Sequence, residues 1–349
     1  MRLGVFLLGA TFGDQDPGDA LRTAAESVVA AETAGFDEAW IAEHHFMTYG
    51  TCPSAITFAG HALGATDRIT VGTAVSVLST VHPVALAEQT RMLDQLSGGR
   101  FALGVGRGGP WIDLDVFGTG IERYDHGFPD GLDVLLGGLS GDTVRGDGTT
   151  FTFPEVPLVP PPHTRPRPPV TVACTSQATT ALAAARGLPM LLGMHIGTEE
   201  KNRMLATYAD AAHAAGRDPA GVAHTSVVLA HVADDRDTAL RHLRESLPRW
   251  LGPGLAGYVP VAGRSRPSRD PIEYAETLCR LHPVGSPEDS VAHLREHVTA
   301  TGVDRVLMMV EGGGSRARTL DTIRRLGAEV LPAVRESRLP AQQSLSSGL

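Results

Sequence analysis

The 349-residue chain is short of several things, and each shortage closes off a class of function. Cysteine is scarce: Cys52, Cys174 and Cys279 are odd in number and far apart. They form neither a disulfide framework nor a zinc ribbon, and they fit a reducing, cytoplasmic setting. No apolar run approaches the roughly 18 residues of a membrane helix. The opening "MRLGVFLLGATFGD" has an apolar run of only about six residues with acid close behind, so it reads as a first buried strand and not as a signal peptide. Positive charge is in deficit, with 30 Lys and Arg against 39 Asp and Glu, a net charge of −9. With no basic stripe, nucleic acid and anionic membrane surfaces are poor partners. Lysine is nearly missing. Lys201 stands alone in a chain rich in Ala, Gly, Arg and Pro, a usage we read as that of a high-GC bacterial genome.

What is present is a hydrophobic share of 42%, ample for a large core, at a length normal for a one-domain β/α barrel. Apolar runs and helical spacings alternate. Strands are expected at Leu3–Leu8, Asp37–Ala42, Ile69–Val77, Phe101–Val105, Val170–Cys174, Met190–Met194, Ala223–Ala230 and Arg305–Val310, with helices between them. Eight parallel-type strands imply a (β/α)8 barrel with insertions. Thr149–Phe153 reads as an excursion strand. Gly106–Gly120 reads as a Gly-rich connection, and Gly252–Asp270, which has no periodicity, as a long loop that is either a functional lid or disordered. We expect one barrel domain over residues 1–337 and a polar, disordered tail over 338–349.

The chain is organised around Trp40–Phe46, "WIAEHHF". Trp40 to Ala42 end a buried strand, so Glu43, His44 and His45 lie at its C-terminal end, where parallel α/β proteins keep their chemistry. Neighbouring residues on extended backbone point apart, so the three cannot grip one ion, and we set metal aside. Gly104-x-Gly106-x-x-Gly109 matches a dinucleotide fingerprint formally, but Pro110 and Trp111 follow where a helix should open. What remains is a flexible loop carrying one cation, Arg107, suited to a flat ligand or a phosphate. "CTSQATT" places Ser176, Thr179 and Thr180 at a strand-to-helix junction, an anion site that Arg107 would complete if the two strands are neighbours. A helix cap alone would need one of those hydroxyls. Asp113 and Asp115 read as solvated loop acids, His82 as a structural loop residue, and Gly312–Gly314 as a turn before the last helix. Trp250, ending a helix, is either core or the wall of a substrate pocket.

At this point the chain resembles the bacterial luciferase-like flavin monooxygenases, in particular the luciferase α-type chain. The likeness runs nearly end to end through "GVFLL", "GFDEAWIAEHHF", "ALGATDRITVGTA", "HPV", "MLDQLSGGRF", "GRG", "VFGT", "TTALAAARGLPM", "NRMLATYADAA" and "HPVGSPED". The resemblance implies a TIM barrel that takes reduced FMN (FMNH2) from a separate flavin reductase. Through a flavin C4a-hydroperoxide it would insert one oxygen atom from O2 into an organic substrate by hydroxylation, epoxidation or Baeyer–Villiger chemistry. It makes His44 the catalytic acid or base, with a pKa near neutrality suiting that role. Arg107, Thr175, Ser176 and Thr179 become the FMN phosphate site. A cis peptide at Ala74–Val75 is implied under the ring, and His45, Asp113 and Trp250 join the active-site region. Two departures stand out: Gly106 replaces the luciferase's reactive cysteine, and Met194 a tryptophan by the ring. They argue against a long-chain aldehyde and against light emission. Gly106 should open room for a bulkier or aromatic substrate, such as a secondary metabolite of antibiotic biosynthesis. The Ala/Gly-rich early helices suggest a homodimer. The alternatives are a deazaflavin-dependent oxidoreductase on the same barrel and a non-catalytic flavin-binding protein.

Overall fold

The computed structural model describes residues 1–265 and 269–336; the expected tail lies outside them. Eight parallel strands close into a barrel: β1 (Arg2–Leu7), β2 (Glu38–Ile41), β3 (Thr70–Thr73), β4 (Phe101–Gly106), β5 (Val170–Cys174), β6 (Met190–Leu192), β7 (Thr225–Leu229) and β8 (Arg305–Met309). Each pairs with the next, β8 pairs with β1, and β3 with β4 completes the ring. Every expected strand is present, with ends differing by a few residues. β3 resumes beyond a break as Ser76–Val77, which pairs with the end of β4.

The alternation of side chains along each strand divides the core in two. Phe6, Trp40, Val227, Leu229, Leu307 and Met309 face the barrel interior. Val5, Val71, Leu103, Val172, Val228 and Val306 face the surrounding helices. Strands buried on both faces are therefore near-continuously apolar. The indole of Trp40 fills the interior, and two glycines make room for it. A Cβ on Gly72 would stand 2.4 Å from Trp40 Cδ2, and one on Gly104 would stand 1.9 Å from the Thr73 carbonyl. Below the indole, fully buried Glu38 accepts from Trp40 Nε1 at 2.7 Å and from Arg305 Nε at 2.9 Å, and pairs with Arg2 at 2.5 Å. This charged plug closes the N-terminal end, leaving the opposite end as the open one.

The helices start where the sequence supplies caps. Asp16, Ser54, Ser176, Asp235, Asp270, Ser286 and Ser315 each accept a backbone N–H of the first turn. Proline follows the cap in the helices Pro17–Thr33, Pro83–Ser97, Pro271–Leu281 and Pro287–Thr301. His82 is one such cap, accepting from Val84 N through its ring. An antiparallel hairpin, Thr143–Asp147 with Thr152–Pro157, takes the place of the single excursion strand.

Two expected connections are more ordered than their composition suggests. The Gly106–Gly120 stretch contains a helical turn at Asp113–Val116. The supposed 252–270 loop begins inside a helix, Arg236–Ala256, which continues past Trp250 through Pro253. Trp250 is thus inside a helix and wholly buried, with its Nε1 donating to the Tyr49 carbonyl at 2.8 Å. Pro271–Leu281 is a helix that the βα rhythm did not announce.

Candidate active site at the C-terminal end of the barrel

The "EHHF" residues leave β2 at the open end, and each does something different. Glu43 is an anchor. It accepts from Ala55 N and from Val77 N, both at 2.9 Å, tying the helix Ala55–Gly64 and the β3 extension to the β2 end. His45 Nε2 lies 3.7 Å from the same carboxylate, and its ring packs edge-on against Phe117 at 4.9 Å. His44 turns the other way, with Nε2 3.1 Å from the Tyr258 hydroxyl. Its Nδ1 is buried with no hydrogen-bond partner among the described residues. Burial, and after it the neighbouring His45 charge, pushes the His44 imidazole down to about 4. It is therefore neutral at physiological pH and not the near-neutral titrating group expected.

Asp113 also differs from expectation. It is buried at the start of its short helix, its carboxylate accepts from Leu114 N at 2.9 Å, and burial raises its pKa. Asp115 alone is exposed.

The two halves of the expected anion site lie on neighbouring strands, β4 and β5, with Val105 beside Val172. Arg107 leaves the end of β4, its guanidinium 4.2 Å from the Tyr124 ring centre. Ser176 caps the helix Gln177–Ala185, accepts from Thr179 N, and has its hydroxyl 3.0 Å from that of Thr179. Thr175 is exposed on the cavity wall described below. A cation, hydroxyls and a helix N-terminus at adjoining strand ends suit a phosphate. Between them and β2, the Ala74–Val75 peptide is cis. The room expected at Gly106 is not there. A Cβ on it would stand 2.6 Å from Val75 Cγ2, because the valine side chain fills the space a larger residue would take.

Thr175 opens onto a cavity of about 390 Å3 that is also lined by Tyr49, Trp111, His195, Tyr258 and Tyr274, among others. Three of the chain's five tyrosines lie here. Tyr49 stacks on Trp250, ring centres 4.7 Å apart, so Trp250 is both core and backing of the wall. Met194 is buried just beyond β6, where His282 Nε2 donates to its carbonyl at 2.7 Å and fixes the segment that carries His195 into the cavity. Burial pushes His195 down to about 4. The reading from sequence missed Tyr49, Trp111, His195, Tyr258 and Tyr274. Their types carry no motif, and the available signal was the rarity of aromatics, 5% of the chain. It also missed Glu311, buried just beyond β8, which accepts from Leu8 N at 2.6 Å and Gly9 N at 3.0 Å and ties β8 to the end of β1. Its burial raises that carboxyl to about 7.

Residues 1–305 match the family model described as "Luciferase-like monooxygenase". Over 353 residues, covering 96% of this chain and 99% of the relative, the sequence is 30% identical to the alkanal monooxygenase alpha chain of the Kryptophanaron alfredi symbiont. Monooxygenase RslO1 from Streptomyces bottropensis superposes with TM-score 0.83 at 25% identity, covering 95% of this chain and 99% of that one. The oxygenating constituent of 3,6-diketocamphane monooxygenase from Pseudomonas putida, solved in complex with FMN, superposes with TM-score 0.77 at 19% identity, covering 95% and 98%. An F420-dependent secondary alcohol dehydrogenase shares the same fold, with TM-score 0.74 at 20% identity and coverage of 96% and 99%.

Proposed function

The chain belongs to the luciferase-like monooxygenases, and from that premise we propose that it is the oxygenating component of a two-component system. It takes reduced FMN from a separate reductase and places one oxygen atom of O2 on an organic substrate, a secondary metabolite, by hydroxylation, epoxidation or Baeyer–Villiger insertion. We read it as a homodimer working in the cytoplasm. One observation carries the cofactor assignment: Arg107 and the Thr175–Ser176–Thr179 group emerge from the ends of the paired strands β4 and β5.

Bound reduced FMN supplies the electrons that activate O2. The chain's own residues do the rest. Arg107, the backbone amide of Thr175, the hydroxyls of Ser176 and Thr179, and the helix N-terminus hold the phosphate. Ala74, Val75 and Gly106 form the apolar floor for the ring, with Val75 filling the space at Gly106. The aromatic walls and buried Met194 keep water from the reacting atoms. His44, held neutral by burial, accepts a proton at Nε2 and returns it. His45 and Asp113 belong to the substrate pocket.

The test separates FMN from the deazaflavin F420 that the fold neighbour raises. Photoreduced FMN and reduced F420 are each titrated into the protein under argon, then mixed with oxygenated buffer in a stopped-flow spectrometer. FMN should bind and reoxidise more slowly than free FMN, His44→Ala should shorten that lifetime, and Arg107→Ala should weaken binding roughly 10- to 100-fold through loss of a charge-assisted contact. Retention of F420 alone, with FMN reoxidising at its free-solution rate, would refute the assignment. FMN retained with no effect of His44→Ala would favour a carrier without chemistry.

A further inference from the structure

His44 is not among the residues that line the cavity. Its Nδ1 side is closed: that nitrogen is buried, and a Cβ on Gly50 would stand 2.6 Å from it. The other ring nitrogen, Nε2, meets the hydroxyl of Tyr258 at 3.1 Å. A base whose one partnered nitrogen meets a hydroxyl can exchange protons through that hydroxyl. We propose that Tyr258 is the second member of a proton-handling pair with His44, carrying protons between the cavity and Nε2. The reaction it serves rests on the monooxygenase reading; the pair is a property of the chain.

The placement of Tyr258 is built, not incidental. The residue lies 214 positions from His44, just past the helix Arg236–Ala256, on a segment strapped to the loop after β4. Ile112 N donates to the Val259 carbonyl at 2.9 Å, Val261 N to the Pro110 carbonyl at 2.9 Å, and Trp111 bridges to Pro260 between them. The ring of Tyr258 is held by Trp111, 5.1 Å between centres, and by Tyr49, 5.4 Å. It meets His44 edge-on, with an interplanar angle of 79°. Tyr258 also lines the cavity.

The step balances without redox change. A proton leaves an acidic group in the cavity for Tyr258 Oη as the phenolic proton passes to His44 Nε2. The donor becomes an anion, the imidazole an imidazolium, and tyrosine stays neutral; the reverse returns the proton. A phenolic hydroxyl both donates and accepts, and a neutral imidazole keeps a lone pair to receive.

Tyr258→Phe keeps the ring and removes the hydroxyl, and two measurements test it. In the flavin-free protein, carbethoxylation of His44 by diethyl pyrocarbonate, followed by peptide mass spectrometry, should run about tenfold faster in the variant, the equivalent of one lost hydrogen bond. In the second, photoreduced FMN bound to each protein is mixed with O2 across pH 6 to 9. Tyr258→Phe should bind FMN within about twofold of wild type. It should also reproduce the altered lifetime and pH dependence of His44→Ala, and the double variant should be no worse than either single one, as for residues acting as a unit. Wild-type lifetime and pH profile in Tyr258→Phe, alongside a changed His44→Ala, would overturn the relay. So would an unchanged carbethoxylation rate. If neither protein alters FMN reoxidation, the monooxygenase reading fails, and the carbethoxylation rate still decides whether the hydroxyl covers Nε2.

Discussion

The single lysine offers the sharpest test of how burial sets energetics here. Lys201 sits in the helix Thr198–Ala214, 2% exposed, with Nζ donating to Ser226 Oγ at 2.8 Å and to the Val227 carbonyl at 3.0 Å. No carboxylate pairs with it among the described residues. Burial lowers its pKa from 10.5 to about 7, equivalent to about 5 kcal/mol against the charged form. The unfolded chain keeps the proton up to about pH 10.5 and the folded chain releases it near pH 7. Between those values unfolding takes up a proton, so stability rises with pH by about 1.4 kcal/mol per pH unit. Lys201→Met keeps the chain length and removes the titration. Urea unfolding of both proteins from pH 6 to pH 9 should show wild type gaining about 2–3 kcal/mol relative to the variant, mostly above pH 7. At pH 6 the variant should be the more stable, although losing the donor to Ser226 and Val227 offsets this by about 1 kcal/mol per bond. Burial first, followed by the charges of Arg269 and then Lys201 at His195 and by that of Lys201 at His282 and His297, holds the three at about 4, 3 and 3, below this window. Parallel stability curves for the two proteins would refute the reasoning, because they would mean that Lys201 stays charged in the fold.

Two further substitutions probe the barrel's ends. Glu38→Ala strands the buried end of Arg305 and the Trp40 indole N–H, and should lower stability by about 3–5 kcal/mol in urea unfolding; a loss below about 1 kcal/mol would mean the plug is solvated. Gly106→Cys places a side chain where Val75 already stands, and should destabilise by about 1–3 kcal/mol and weaken FMN retention. Adding Val75→Ala should restore both, and failure of that rescue would show that Val75 is not the obstacle.

The barrel was legible in the sequence because its signals are local. Doubly buried strands write themselves as apolar runs, and Asp-Pro, His-Pro and Ser-Pro pairs mark helix starts. Ser176 and Thr179 were legible as a capped strand-to-helix junction for the same reason. The gaps lie where order comes from contacts distant in the chain. Val259 and Val261, in a stretch with no periodicity, are fixed by the loop residues Ile112 and Pro110. Asp113 looked like a solvated loop acid until tertiary packing buried it. The space at Gly106 could not be judged from the glycine, because a neighbouring strand's Val75 fills it.

By itself, then, the sequence determined the eight βα units, the end of β2 that carries His44, and the family. Burial and distance were left to the tertiary structure: the neutral state of His44, the uncharged tendency of Lys201, and the Tyr258 hydroxyl over Nε2. Periodicity and caps act over a few residues and are written in order along the chain. Desolvation and a hydrogen bond spanning 214 positions exist only once the barrel has closed.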